Sequence, residues 1–357
     1  MNGVVDGAAF LLPQWPHAFG APTLRGIARH TPADFQVREI LGFDPDGRGE
    51  HLLLEVEKID LTTPAAQQLL ARAYGVHPRE VAYSGLKDRR AITTQWFSLR
   101  VGMHRTATET VALPEGLRVL QAHKNSRKLR RGSHKGNRFT LVLRELEGDL
   151  DTLPPRLQQV AENGVPNYFG PQRFGHDGGN LQALQTWWAG GREPGRALRS
   201  LLLSSGRSFL FNAVLAERVA QGNWNQLLTG ERLNLDSTAR HFAAAAASDA
   251  ELQQRLLQGD VHPTGPLYGR GESGVEEQAA ALEQRVLAEH PALCAGLLRE
   301  GLEHDRRALR CLVRQLHHEL DGTTLCLEFE LTRGAYATAV LRELVTTLEE
   351  PELETRS

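Results

Sequence analysis

A chain of 357 residues with 41% apolar and 24% charged side chains is long enough for about two domains, and its composition excludes disordered and fibrous classes. A formal net charge of −2 excludes a uniformly polycationic nucleic-acid binder, so any polyanion site must arise from local clustering. Three cysteines, Cys294, Cys311 and Cys326, are too far apart for a CxxC pair and odd in number, which supports neither a disulfide framework nor a zinc site.

The opening MNGVVDGAAFLLPQW has no basic segment ahead of its apolar stretch, and no window approaches the ~18 apolar residues of a membrane helix, so a cytoplasmic protein is expected. FQVREI (Phe35 to Ile40) and HLLLEVEK (His51 to Lys58) are predicted strands around FDPDGRG, which reads as a hairpin turn. Asp44, Asp46 and Glu50 are spaced too closely for a calcium loop, and Pro45 intrudes. Thr63 as N-cap and Pro64 in the first turn start a helix over AAQQLLARAY that Gly75 ends. VAYS, TTQWFSLRV and RFTLVLREL follow as strands.

From about residue 155 helical periods dominate, in SFLFNAVLAERVAQG, STARHFAAAAASDAELQQRLLQG and VEEQAAALEQRVLAEH. Strict alternation returns in TLCLEFELTRG, with Leu325, Leu327, Phe329 and Leu331 on one face, followed by a predicted helix in AVLRELVTTLEE. The pattern is that of an α+β domain interrupted by a helix-rich insertion, with residues 1–154 and 306–357 forming the domain and 155–305 the insertion.

Between the strands VAYS and TTQWFSLRV lies SGLKDRRA, in which Asp88 is the only acid, set among Lys87, Arg89 and Arg90 and preceded by Gly85, a residue able to turn the chain sharply. A solvated loop of exposed ion pairs is one reading of such a stretch. The other is that the three cations keep a carboxylate ionised for use as a nucleophile or base.

A second feature is the absence of any acid from Gly116 to Arg144; within it, HKNSRKLRRGSHKGNR (His123 to Arg138) carries seven Lys/Arg and two His. Such a run is the footprint of a phosphate-binding face, and neutralising Lys124, Arg127, Lys128 and Arg131 is expected to weaken RNA binding and its salt dependence. NYFGPQRFG (Asn167 to Gly175) offers aromatic faces, glycines and polar groups that suit either base contacts or a turn anchored in a core; Tyr336 in RGAYAT poses the same choice. GRGESG (Gly269 to Gly274) matches GxGxxG but follows no apolar strand, and Ser84 to Lys87 matches SxxK without the helix start that motif needs.

RHTPADFQVREILGFDPDGRGEH, GLKDRRAITTQ, KGNRFTLVLRE, VPNYFGPQRFGHDGGNLQ and RGAYATAVLREL, in this order from about Leu24 to Leu344, resemble the tRNA pseudouridine synthase D family. The resemblance implies a pseudouridine synthase domain, with a mixed and mainly antiparallel sheet, interrupted by an insertion domain. It implies isomerisation of uridine 13 of tRNA to pseudouridine without a cofactor or metal, tRNA as the partner, and no obligate protein partner. Asp88 stands at the family's nucleophile. Phe35, Asn137, Phe139 and Tyr336 stand at its uridine contacts, with Phe139 as the stacking residue, and Arg29 fills the basic position that pairs with the catalytic Asp. Ala33 and Tyr336 depart from the acid and the Phe common in the family at those places. The competing expectation is a tRNA-binding chaperone in which Asp88 is structural; a metal-dependent nuclease is disfavoured because no compact cluster of ligand residues is visible.

Overall fold

The computed structural model describes residues 12–104, 106–107, 111–244 and 246–348. The chain divides into two compact units, one of Pro22–Leu157, Val313–Ala337 and the residues from Leu344 on, the other of the residues up to Ala21 with Gln158–Leu312 and Thr338–Glu343.

The first segment supplies β1 (Arg25–Ala28), β2 (Phe35–Ile40), β3 (His51–Ile59), α1 (Thr63–Ala73), β4 (Val81–Tyr83), β5 (Ile92–Arg100), β6 (Leu117–Asn125) and β7 (Gly136–Glu147). There follow α2 (Leu153–Asn163), β8 (Val165–Pro166), α3 (Gly179–Trp188), α4 (Arg196–Ala220), β9 (Arg232–Leu235), β10 (His241–Ala243), α5 (Ala250–Leu257), β11 (Val261–Leu267), α6 (Glu277–Ala288), α7 (Pro291–Arg299), β12 (Asp305–Ala308) and β13 (Arg310–Cys311). Last come β14 (Arg314–Asp321), β15 (Thr324–Thr332), α8 (Ala337–Leu344) and β16 (Thr346–Leu348).

One sheet of ten strands, in the order β14-β15-β7-β2-β5-β3-β6, organises the first unit; β1 bridges β7 and β16, and β4 joins β5. Its ladders are antiparallel except β2–β5 and β1–β16. β5 therefore separates β2 from β3, and FDPDGRG is a crossing connection and not the expected hairpin. One acid of that connection, Asp46, ties it to the chain after β6, accepting hydrogen bonds from Ser126 as well as from the Arg48 backbone.

Register explains which side chains meet. Val37, Phe139 and Phe329 stand opposite one another across β2, β7 and β15, while Lys58 stands opposite Thr93 on β3 and β5. With side chains alternating along each strand, one face of the sheet collects Leu52, Leu54, Val56 and Lys58 with Thr93, Gln95, Phe97, Phe35, Val37, Glu39, Asn137 and Phe139. Ala66, Leu70 and Ala71 of α1 cover its apolar part, packing with Leu52, Leu54, Val56, Phe97 and Leu99. On β15 the alternation is as expected: Leu325, Leu327, Phe329 and Leu331 are all 2% exposed or less.

Three local expectations change. Thr62, not Thr63, caps α1, accepting from the Ala65 N–H at 3.2 Å; Thr63 is buried and its hydroxyl is used elsewhere. STARHFAAAAASDAELQQRLLQG forms no long helix, because β10 takes His241–Ala243 and Asp249 starts α5 by capping the N–H groups of Glu251 and Leu252. The last predicted helix stops at Leu344, where the chain extends to pair with β1.

In the second unit, the ordered aromatics of NYFGPQRFG are core anchors: Tyr168, Phe169 and Phe174 are 2%, 8% and 1% exposed. Asn212 of α4 clamps the Phe169 backbone through both its N–H and its carbonyl at 2.9 Å, and Trp15 stacks on Tyr168. The base-contact reading of these rings gives way to the packing one, because a ring closed into a core has no face to offer. Among the described residues no helix is long and apolar enough to cross a membrane.

Candidate active site

A sheet face lined by apolar residues rarely buries charge unless it is paired. This one buries Glu39, Lys58, Thr93, Gln95 and Asn137, with Lys58, Thr93 and Gln95 at 0% exposure. Above these polar residues runs the loop between β4 and β5 that carries Asp88.

The loop is tied down along its length. Gln95 Nε2 donates to the Gly85 carbonyl at 2.7 Å; the Thr63 hydroxyl donates to Gln95 Oε1 and accepts from the Lys87 N–H, both at 3.0 Å. Lys58 Nζ donates to the Asp88 carbonyl at 3.1 Å and to the Leu61 carbonyl at 2.5 Å. Across the loop, the Gly132 N–H donates to the Ser84 carbonyl and Ser84 Oγ meets Ser133 Oγ, both at 2.8 Å. Gly85 has no left-handed backbone conformation, and a Cβ there would meet its nearest atom, His134 Cε1, at 3.4 Å, so the sharp turn expected of this glycine is not what its conformation requires.

Asp88 is paired, but not by its neighbours in sequence. Arg29 Nη2 donates to Asp88 Oδ2 at 3.1 Å, whereas Lys87 turns inward onto Glu39 at 2.6 Å and Arg89 turns outward onto Asp60 at 3.2 Å. Successive side chains of an irregular loop diverge, so adjacency in KDRR does not become adjacency in space. The Lys87–Glu39 pair is buried, and burial pushes the Glu39 carboxyl up against the opposing pull of Lys87.

Arg29 reaches Asp88 because the chain leaves the sheet between β1 and β2. Ala28 pairs with Leu143 and Phe35 with Leu141, so residues 29–34 form an excursion from what is otherwise one strand alongside β7. Arg29 sits at φ 59°, a left-handed conformation that costs an ordinary residue of order 1 kcal/mol or more. Asp34 holds the excursion: it accepts the Thr31 N–H at 2.8 Å and a forked contact from Arg144, the shorter arm 2.7 Å. Burial raises the Asp34 carboxyl, but the hydrogen bonds from Arg144 and Thr31 outweigh it and hold it below its usual value.

The Arg29 guanidinium also lies 3.9 Å above the Phe35 ring. Phe35 meets Phe139 edge to face at 6.3 Å, and Phe139 stacks on Phe329 at 5.5 Å. Arg29, Asp88, Phe35 and Phe139 are thus joined in one chain of contacts, with Phe35 and Phe139 only 3% and 6% exposed and forming its floor. Asn137, two residues before Phe139 on the same face, is 8% exposed and its buried Oδ1 has no hydrogen-bond partner among the described residues. Tyr336 is half-buried in the turn between β15 and α8. Asp88 keeps 41% of its side chain open to solvent and Arg29 20%.

Beside the loop His134 is buried, and burial with the nearby Lys87 and Arg333 pushes its imidazole down to about 4. The unfolded chain, with an ordinary value of 6.5, takes up this proton first. The stability held by neutral His134 is therefore complete above pH ~6.5 and is lost as pH falls toward ~4. Chemical denaturation across that interval is expected to show stability falling with pH, and His134→Gln should reduce the slope by up to ~1.4 kcal/mol per pH unit. An unaltered slope in the variant would remove His134 from the acid response.

The basic run lies on β6 and the connection to β7. Arg127, Lys128, Arg130 and Lys135 are exposed and, among the described residues, face no carboxylate at salt-bridge distance. Lys124 instead donates to the Gly102 carbonyl at 2.8 Å, and Arg131 lies 4.2 Å above the Tyr83 ring while donating to its hydroxyl at 3.0 Å. Among the described residues no group of three or more His, Cys, Asp or Glu is arranged to hold a metal ion.

The mixed sheet with helices on it is an α+β fold, and its likeness to a solved structure is to a pseudouridine synthase fold. A crystal structure of a Methanosarcina mazei protein assigned to tRNA pseudouridine synthase D matches it with a TM-score of 0.72 at 20% identity, over 94% of this chain and 96% of that one. The sequence model of tRNA pseudouridine synthase D (TruD) matches residues 16–187 and 179–344. The tRNA pseudouridine synthase D of Nitrosococcus oceani is 46% identical over 92% of each chain, and that of Aeromonas hydrophila is 43% identical over 94% of this chain and 95% of its own. The chain belongs to the tRNA pseudouridine synthase D family.

Of the residues the family resemblance named, Asp88, Arg29, Phe35, Asn137 and Phe139 lie together here and Tyr336 lies in the turn after β15; no reading of the sequence pointed to Lys58, Glu39 or Asp34. The signal for the first two was present: Lys58 continues the phase of Leu52, Leu54 and Val56, and Glu39 that of Phe35 and Val37, so both charges point into a buried face.

Proposed function

We propose that the protein is a pseudouridine synthase that isomerises a uridine of cytoplasmic tRNA, at position 13, with Asp88 as the nucleophile. The observation that carries this reading is the Arg29–Asp88 pair: a half-exposed carboxylate whose backbone is fixed from behind and whose charge is met by one guanidinium. The reaction breaks the N1–C1′ bond, rotates the uracil and forms C5–C1′; N1 gains a proton and C5 loses one. The Asp88 carboxylate suits attack at C1′ or removal of the C2′ proton on a glycal path, since both need it ionised.

The other residues take supporting roles in this reading. Asn137 Oδ1, a buried acceptor without a partner among the described residues, suits the imide N–H of uracil. Phe139, with one face already on Phe329, and Phe35, under Arg29, would form the floor of the uridine site and not the stacking platform expected of Phe139, since at 6% and 3% exposure neither ring has an open face. Tyr336 would close the site from the turn after β15. Removing a uridine from its stack costs a few kcal/mol, which these contacts and the phosphate contacts of the basic run would offset.

Release of tritium from tRNA labelled at uridine C5 tests the reading, with position 13 mapped in the product. Release from that nucleoside alone is the expected result. Binding of unmodified tRNA without release would favour an RNA chaperone instead.

A further inference from the structure

Lys58 has no place in the chemistry above, yet it is among the largest side chains buried completely. Its strand neighbours in phase, Leu52, Leu54 and Val56, are apolar, and a residue of that kind would continue the core without the cost of burying an ammonium. The side chain forms no carboxylate pair among the described residues. Its two hydrogen bonds go to main-chain carbonyls on two different connections, Leu61 ahead of α1 and Asp88 on the β4–β5 loop.

We propose that Lys58 is a positioning residue for Asp88: a buried ammonium that pins the nucleophile's own main chain to the sheet and thereby sets where its carboxylate points. This rests on the reading of Asp88 as nucleophile. Side chains swing about a fixed backbone, and the Arg29 contact restrains only the carboxylate end. Lys58 restrains the other end, the main-chain carbonyl of the same residue. Of the remaining loop anchors, Thr63 and Gln95 hold Lys87 and Gly85, so among the anchors named above Lys58 alone acts on the main chain of Asp88 itself.

The arrangement makes this anchor titratable. Burial pushes the Lys58 ammonium down to about 8, with the Asp88 charge opposing the fall and Lys87 adding to it. The groups facing it are these two, the neutral Thr93 opposite it on β5 and the Leu61 carbonyl; Glu39 is engaged with Lys87, and Asp60 with Arg89. Deprotonation would replace two charge-assisted hydrogen bonds by weaker neutral ones and loosen the loop.

The test compares wild type with Lys58→Met, which keeps an unbranched apolar stem and removes the ammonium. Single-turnover rates on tRNA are measured from pH 6.5 to 9.5, together with amide hydrogen exchange of the 84–91 segment against β15 as internal reference. Wild type is expected to lose rate above pH ~8, with exchange of 84–91 rising relative to β15 over the same interval. The variant is expected to turn over about tenfold to a hundredfold more slowly at pH 7, with tRNA affinity unchanged, with 84–91 already exchanging fast and no further decline near pH 8. A variant that keeps wild-type rate, alkaline limb and 84–91 protection overturns the positioning role. Absence of turnover by wild type would strike at the function reading instead, and the exchange comparison still decides whether Lys58 holds the loop. A variant whose β15 exchange also rises has lost the fold generally, and Lys58 would then be structural rather than positioning.

Discussion

Asp88→Asn is expected to lower the rate of pseudouridine formation by at least about 10⁴-fold while tRNA affinity stays within about twofold. The substitution is nearly isosteric and leaves the main-chain anchor from Lys58 intact, so the loop keeps its course. What it removes is the anion. An amide oxygen still accepts from Arg29 at the same place, but it neither attacks C1′ nor takes a proton from C2′ at a useful rate. Because the side chain is 41% exposed and its pair with Arg29 lies near the surface, little stability should be at stake, and thermal melting should move by no more than a few degrees. Single-turnover assays at saturating enzyme, with filter binding alongside, separate the two effects. If the variant converts tRNA at a rate within tenfold of wild type, the nucleophile lies elsewhere.

The fate of the KDRR stretch shows where sequence reasoning works and where it stops. β-branched and aromatic residues bounded by turn signals identified the strands on either side of Asp88, and the loop between them followed. The electrostatics did not follow, since Lys87 and Arg89 are one residue away in sequence but committed to Glu39 and Asp60 in space. The cation that serves Asp88 lies 59 residues earlier, on an excursion shaped by Asp34 and Arg144. No local rule reaches that far; only the resemblance pointed to Arg29. A similar limit applies to FDPDGRG, whose composition signals a turn but says nothing of which strand lies beside β2. That β5 inserts there is a property of the whole sheet. For NYFGPQRFG the composition fitted both a core and a base-contact site, and burial, which a sequence does not display, decided for the core.

The same distinction between charge in sequence and charge available in space shapes the second large effect. Of the basic residues between His123 and Arg138, Lys124 and Arg131 serve the fold, through Gly102 and Tyr83, while Arg127, Lys128, Arg130 and Lys135 are exposed without carboxylate partners among the described residues. A quadruple variant, Arg127→Gln, Lys128→Gln, Arg130→Gln and Lys135→Gln, should therefore remove phosphate contacts without loss of structure. Every phosphate left without its cation takes about 0.7 to 0.9 from the slope of log K against log salt, so four should flatten it by roughly 3 and weaken tRNA binding about a hundredfold or more near 0.1 M salt. Turnover at saturating enzyme should change far less, because Asp88 is paired with Arg29 and none of the four side chains takes part in that pair. Titrating labelled tRNA at several salt concentrations gives affinity and slope together. By contrast, Lys124→Gln with Arg131→Gln should cost stability and leave most of the slope. Should that pair flatten the slope and the exposed four leave it unchanged, the phosphate face would have to be sought on another part of the surface.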